Sequence, residues 1–342
     1  PGELSGNVIT GFAEVDENTA VVATNGDGIN LVDLDSGYAQ RIDLVQGDTA
    51  LSDARVFALE VSDSGDIWAG TRAGGLNYLD AETGDWRAYQ ADAEDPNGLS
   101  ADAVTSLLLS DERQLWVGTF GGGLNLLDIT SGQFSHYRHD PEDAAPICSD
   151  RVIGLLKDRT GQLWVSTHDG GFCALDAATG QFTSYRHDPE DDASLSSDAV
   201  WAMAEDPQGN LWIGTADKGL NLWRQIDRQD GVARFTRIDE AGGLRSPRAY
   251  GILSDAHGRL WVSNPRGLTR IDGESLTMRH YSQIDGLQGN DFNFGAAYRA
   301  GNGRLFFGGN NGFNAFFPDA IGRNEHPPTV ALTRLLRNYE TQ

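Results

Sequence analysis

The chain has 342 residues, and its 50 acidic and 26 basic side chains give a formal charge of −24 and a pI near 4.5. That balance argues against nucleic acid and against anionic membrane surfaces, because binding to either draws on clustered Lys and Arg. No run of 18 apolar residues is present, so the chain itself is not expected to enter a bilayer. Pro-Gly-Glu-Leu at its start is no signal peptide, so any export signal or anchor is expected outside it.

Taken in chain order, the sequence repeats one phrase. It is most complete as Leu115-Trp116-Val117-Gly118-Thr119, followed by Phe120-Gly121-Gly122-Gly123-Leu124-Asn125-Leu126-Leu127-Asp128. Copies centre on Val21, Trp68, Trp116, Trp164, Trp212, Trp261 and Phe306, at spacings of 47, 48, 48, 48, 49 and 45 residues. A fixed period of this length that fills the chain points to a repeat architecture. Inside a unit, residues alternate with period two between turn-rich bounds. In the third unit, Val104 to Leu109, Leu115 to Thr119, Leu124 to Asp128 and Phe134 to Arg138 read as short antiparallel strands.

Four strands per unit, repeated radially, predict an all-β fold: a seven-bladed β-propeller with four antiparallel strands per blade. One sheet cannot bury both faces alone, so blades must stack. The second-strand Trp is the natural filler between blades, and the Gly two residues later would relieve crowding there. Residues 1–326 are assigned to the propeller. Residues 327–342 read either as a closing strand of the last blade (Thr329 to Leu336) or as the start of a truncated C-terminal β-sandwich.

Asp158-Arg159-Thr160-Gly161-Gln162-Leu163-Trp164-Val165 and Asp206-Pro207-Gln208-Gly209-Asn210-Leu211-Trp212-Ile213-Gly214-Thr215 resemble the two-component regulator propeller repeat. The other copies extend the resemblance along the whole chain. The tail, Gly312-Phe313-Asn314-Ala315-Phe316-Phe317-Pro318-Asp319 and then Pro327-Pro328-Thr329-Val330, is similar to the join between such a propeller and the sandwich that follows it in the family. The resemblance implies the periplasmic sensor propeller of a bacterial membrane signalling receptor, with a histidine kinase or a diguanylate cyclase as its output. It implies a small-molecule or oligosaccharide ligand, an adjacent β-sandwich and signalling domains as partners, and is compatible with a homodimer. Many family members carry two propellers where this chain shows one. The repeat residues build blades rather than pockets, so ligand identity does not follow from them.

Ligand sites on repeat folds gather where loops leave the consensus. The loops between second and third strands should share one face of the disc with the segments leading into first strands. On that face the departures are Arg72, Phe120, His168, Asp169, Lys218, Asn264, Arg266 and Asn310, with Arg55, Arg151, Trp201, Arg248 and Tyr250 near the first strands. Arg forks and aromatic rings converging on a channel mouth suit an acidic sugar. One alternative is a propeller-type polysaccharide or ester lyase, with His168, Tyr250 and Arg266 as the proton-abstracting set. Another is a protein-interaction scaffold. No nucleophile elbow, His-Glu-x-x-His or paired-Cys zinc pattern is present, so the chain is read as a non-enzyme without a cofactor.

Three further features have a structural and a functional reading. Asp102, Asp150 and Asp198 each stand two residues before a first-strand Val. They could ring the channel and hold Ca²⁺, although accepting backbone N–H bonds at the turn is the preferred reading. Tyr137-Arg138-His139-Asp140-Pro141-Glu142-Asp143 recurs as Tyr185-Arg186-His187-Asp188-Pro189-Glu190-Asp191 and reads as turn chemistry, since equivalent copies face different sectors. Cys148 and Cys173 lie toward the same face, and a disulfide and two separate thiols are both open.

Overall fold

The computed structural model describes residues 2–42 and 50–321. The segment 327–342 lies outside them, and so does the choice between a closing strand and a sandwich. Among the described residues the strands form seven antiparallel sheets, one per repeat, each ordered as in the chain. Six have four strands, and the seventh has three, Phe292–Arg299, Leu305–Gly309 and Gly312–Phe316. This is the seven-bladed propeller that the repeat predicts. The third blade comprises Val104–Asp111, Gln114–Thr119, Gly123–Asp128 and Gln133–Tyr137, within two residues of the sequence reading.

First strands of successive blades touch around the axis, and the last touches the first, which closes the ring. That junction is held by hydrogen bonds and apolar packing. The Gly312 N–H donates to Asn7 O, and the Asn293 amide donates to Ile9 O at 2.8 Å. Ile9, Phe12, Ala296 and Phe306 form one apolar cluster there.

The core is distributed over seven such clusters, one between each pair of neighbouring blades. Trp68 packs with Val104 and Leu115 of the next blade, Trp212 with Ile252 and Val262, and Trp261 with Phe292 and Phe307. The glycine two residues after Trp68, Trp116 and Trp212 gives the close approach, with Ser166 and Ser263 in that place after Trp164 and Trp261: a Cβ on Gly214 would lie 2.7 Å from the Cβ of Ala249. The motif Asp is equally accounted for. Indole N–H groups of Trp164, Trp212 and Trp261 donate to Asp158, Asp206 and Asp255 at 2.9, 2.9 and 3.0 Å. Those carboxylates also accept N–H groups of their own turn, as Asp158 does from Thr160 and Gln162. Turn and buried Trp are therefore one hydrogen-bonded unit, and the spacing of the motif follows from it.

A short helix, Gln225–Gln229, interrupts the fifth blade and carries Arg228. Its guanidinium reaches back to the fourth blade, donating to Asp158 Oδ2 at 2.6 Å and lying 5.3 Å from the Trp164 ring centroid. Burial alone would push the Asp158 carboxyl up, but hydrogen bonds from Thr160, Trp164 and Gln162 hold it below the usual carboxylate range.

Candidate functional site

The site begins with a backbone irregularity. In six blades the pairing of first and second strands skips residues near the start of the first strand, at Thr10, Phe57, Thr105, Ile153, Trp201 and the stretch from Asn293. The sixth blade has Tyr250 at this position, just before its first strand, Gly251–Ser254. A bulge re-aims its extra side chain. All seven residues line one axial cavity of about 810 Å³, a size that admits a small molecule or a short oligomer.

The ring of seven divides into two chemistries. Asn293, Thr10 and Thr105 direct their polar ends to the next blade, onto Ile9 O, Val56 O and Val152 O. The fifth and sixth blades contribute aromatic side chains, joined by Phe294 of the seventh. Trp201 stacks on Tyr250 with centroids 5.8 Å apart and planes at 25°, and Phe294 meets Trp201 edge-on at 5.1 Å. Phe294 is 36% exposed, so this wall remains open to the channel. Ring faces carry negative charge density, which suits the C–H bonds on the flat side of a sugar.

The two ends of the channel differ in charge. One is bordered by Asn25, Arg72 and Phe120, on the face that bears the loops between second and third strands. Each such loop is tied to the segment leading into the next blade: the Arg72 N–H donates to Arg55 O, the His168 N–H to Arg151 O, and Gly121 and Gly123 N–H to Asp150 O. The two loop sets therefore share a face, as expected. Toward the other end come Glu60 and Tyr298, which also border a cavity of about 250 Å³ lined by Glu14, Asp63, Asp111 and Glu112. Burial pushes the Glu60 carboxyl up to about 7, although its Oε1 accepts the Leu109 N–H at 2.9 Å. Burial, aided by the charges of Glu14 and Glu60, pushes the Tyr298 phenol up to about 12.

Of the sequence-predicted residues, Arg72, Phe120, Trp201 and Tyr250 line the channel. His168 and Asp169 join Phe120 at the rim. The Arg151 guanidinium lies 5.7 Å from the Phe120 ring centroid and 3.0 Å from Asp169, and His168 meets Phe120 edge-on at 5.6 Å. Arg248, Asn264, Arg266 and Asn310 do not line the channel. Asn264 is buried and accepts the Arg266 N–H at 2.7 Å, Arg266 donates to Arg245 O, Asn310 donates to Asp291, and Arg248 is exposed. His168, Tyr250 and Arg266 thus each have separate partners.

Asp102, Asp150 and Asp198 lie away from the channel lining, and their carboxylates accept backbone N–H groups of Ala91, His139 and His187 at 2.7, 2.8 and 2.7 Å. Among the described residues, no group of three His, Cys, Asp or Glu could hold a metal ion. The two His-Asp-Pro loops repeat one geometry, with His139 and His187 Nδ1 at 2.7 Å from Ile147 O and Leu195 O. Cys148 and Cys173 are joined in a disulfide.

Sequence reasoning missed Phe57, Ile153, Phe294 and Glu60. A signal existed for the first two: Phe57, Ile153 and Trp201 each stand eleven residues before the Trp of their blade, as does Tyr250.

Residues 194–217, which span the turn and first two strands of the fifth blade, match the family model described as Two component regulator propeller. That stretch is a two component regulator propeller repeat. The resemblance drawn from the sequence is borne out for that stretch, and the other copies along the chain carry variants of the same phrase. Over 100 residues, 29% of this chain, the sequence is 32% identical to a protein named histidine kinase P4 from Formosa agariphila, of which the match covers 7%. The structure resembles the extracellular domain of a hybrid two component system from B. thetaiotaomicron, with a TM-score of 0.72 at 21% identity, covering 92% of this chain and 40% of that one. It also resembles PorZ, a surface component of the type-IX secretion system of Porphyromonas gingivalis, with a TM-score of 0.67 at 16% identity, covering 92% and 48%. These two likenesses show a shared fold. The chain spans less than half the length of each relative.

Proposed function

We propose that this chain is the extracytoplasmic sensor propeller of a bacterial membrane signalling receptor, and that it binds an oligosaccharide in its axial channel. The regulator propeller repeat and the similarity to part of a histidine kinase support the receptor setting. The observation that carries the binding site is the ring of first-strand positions, where a bulge turns Trp201 into an open cavity beside Tyr250. Core packing has no use for such a turn, whereas a stacking ligand does. The polar side chains of the ring are engaged in blade-to-blade bonds, which fits recognition without turnover. A propeller is stiff, so occupancy would reach the output module as a shift in how the disc packs on its neighbour.

A thermal-shift screen against neutral, uronic and sulfated oligosaccharides tests this reading. A ligand at about 100 times its Kd adds roughly 2.7 kcal/mol of stability. A shift that is lost in Trp201→Ala, with the sugar recovered intact, supports the sensor. A cleaved sugar would transfer the site to the lyase class, and silence across the panel would contradict a carbohydrate ligand.

A further inference from the structure

The reading of the channel as the ligand site can be taken one step further, to the chemistry of the ligand. We infer that the Glu60 end of the channel is a subsite for a protonated amine, so that the ligand is an amine-bearing sugar chain rather than a neutral or N-acetylated one. The inference rests on the channel being the ligand site.

Among the described residues, Arg72 and Glu60 are the charged side chains that line the channel, and they border its opposite ends. Beyond Glu60 the adjoining cavity is lined by Glu14, Asp63, Asp111 and Glu112, with Tyr298 and Ser62 between them and, among the described residues, no basic side chain. Low-dielectric walls carrying one sign of charge concentrate counter-ions, here cations. Glu60 is bonded through Oε1 to the Leu109 N–H. Among the described residues no donor reaches Oε2, which is left for a ligand.

Spacing along the axis fits the same ligand. Glu60 lies three residues beyond Phe57, the bulge position level with Trp201 in its own blade. At a strand rise of about 3.3 Å per residue the offset is about 10 Å, roughly the length of two linked sugar rings. A chain with one ring on the Trp201 and Tyr250 wall therefore brings a ring further along to Glu60. A partly buried carboxylate without a counter-charge is costly, which is why burial raises the affinity of Glu60 for its proton. An ammonium group at that point replaces the proton and makes a charge-assisted hydrogen bond.

Calorimetric titration at neutral pH with the β-1,4-linked glucosamine tetramer and with its fully N-acetylated counterpart tests the inference. The amine form is expected to bind at least about tenfold more tightly, and Glu60→Gln to erase that preference. If both forms bind alike and Glu60→Gln changes neither, the amine subsite is wrong and the channel reading stands. If neither form binds, or both bind unaffected by Trp201→Ala, the channel reading falls as well. Because Glu60→Gln removes a buried charge, its melting temperature should not drop, and a drop would show that Glu60 has a structural role instead.

Discussion

Cys148 is bonded to Cys173 at the two positions where Ser52, Ser100 and Ser196 donate their N–H groups to Asn77, Asn125 and Asn221, always 25 residues apart. Ser5 and Asn30 do the same in the first blade. Each pair pins the segment leading into a blade against the third strand of that blade. In the fourth blade the backbone half of the clamp survives, since the Cys148 N–H donates to Cys173 Sγ at 3.3 Å. The disulfide is thus a covalent form of a polar clamp that recurs around the disc.

The paired substitution Cys148→Ser with Cys173→Asn should therefore fold and retain the clamp. Closing a loop of this length contributes about 3 kcal/mol through the unfolded chain. Urea unfolding with and without reductant should show that loss in the wild type and no response in the double variant. Equal curves for the wild type in both conditions would contradict a stabilising disulfide.

Asp158 and Arg228 form an ion pair across two blades, with side chains 0% and 13% exposed. Asp158→Ala leaves the buried Arg228 cation with Glu205, at 3.5 Å, as its remaining counter-charge and should cost up to about 3–5 kcal/mol. Asp206→Ala removes the same indole acceptor without stranding a cation that donates to it, and should cost less, about 1–3 kcal/mol. The folded-state value of Asp158 lies below the ordinary one, so its contribution is present above about pH 4 and is lost as pH falls through the lowered value. Urea midpoints measured from neutral to acid pH should drop more steeply for the wild type than for Asp158→Asn.

Glu60 has the opposite sign. Its folded-state value of about 7 lies above the ordinary 4.5, so the folded protein holds the proton more tightly than the unfolded chain. Stability should fall as pH rises between those values and level off above them. Glu60→Gln should flatten this slope and, above pH 7, be the more stable protein by about 3 kcal/mol. Parallel stability curves for the two proteins would show that Glu60 is not buried as described.

Gly214→Ala places a methyl group against Ala249 and Ile252 of the next blade. Overpacking of this kind should cost about 1–3 kcal/mol in chemical denaturation. Gly231→Ala meets nothing within 4 Å but must adopt a φ of +70°, so it controls for backbone strain alone.

The fold was legible because each repeated residue makes its own contact in every blade where it recurs. Trp212 fills between blades, Asp206 accepts its indole N–H, and Gly214 admits the neighbouring strand. Trp201 and Tyr250 stood out because they break the repeat. Phe57 and Ile153 did not, since a strict period-two reading does not reveal which residue a bulge will turn toward the axis. Phe294 lies within a longer irregular stretch, from Phe292 to Ala297. Arg228 acts on a residue 70 positions away, and no local pattern marks it. Asn264 and Arg266, also departures from the repeat, prove to be tied into their own turn and the adjacent lead-in segment.

The axial channel as the ligand site is tested most directly by titrating the oligosaccharide found in the screen into three proteins: wild type, Trp201→Ala and Arg266→Ala. The expected result is a loss of at least about tenfold in affinity, or about 1.4 kcal/mol, for Trp201→Ala. Arg266→Ala should bind as the wild type does, and all three proteins should melt at similar temperatures. Full binding by Trp201→Ala together with a loss in Arg266→Ala would place the ligand on the outer rim and contradict the channel.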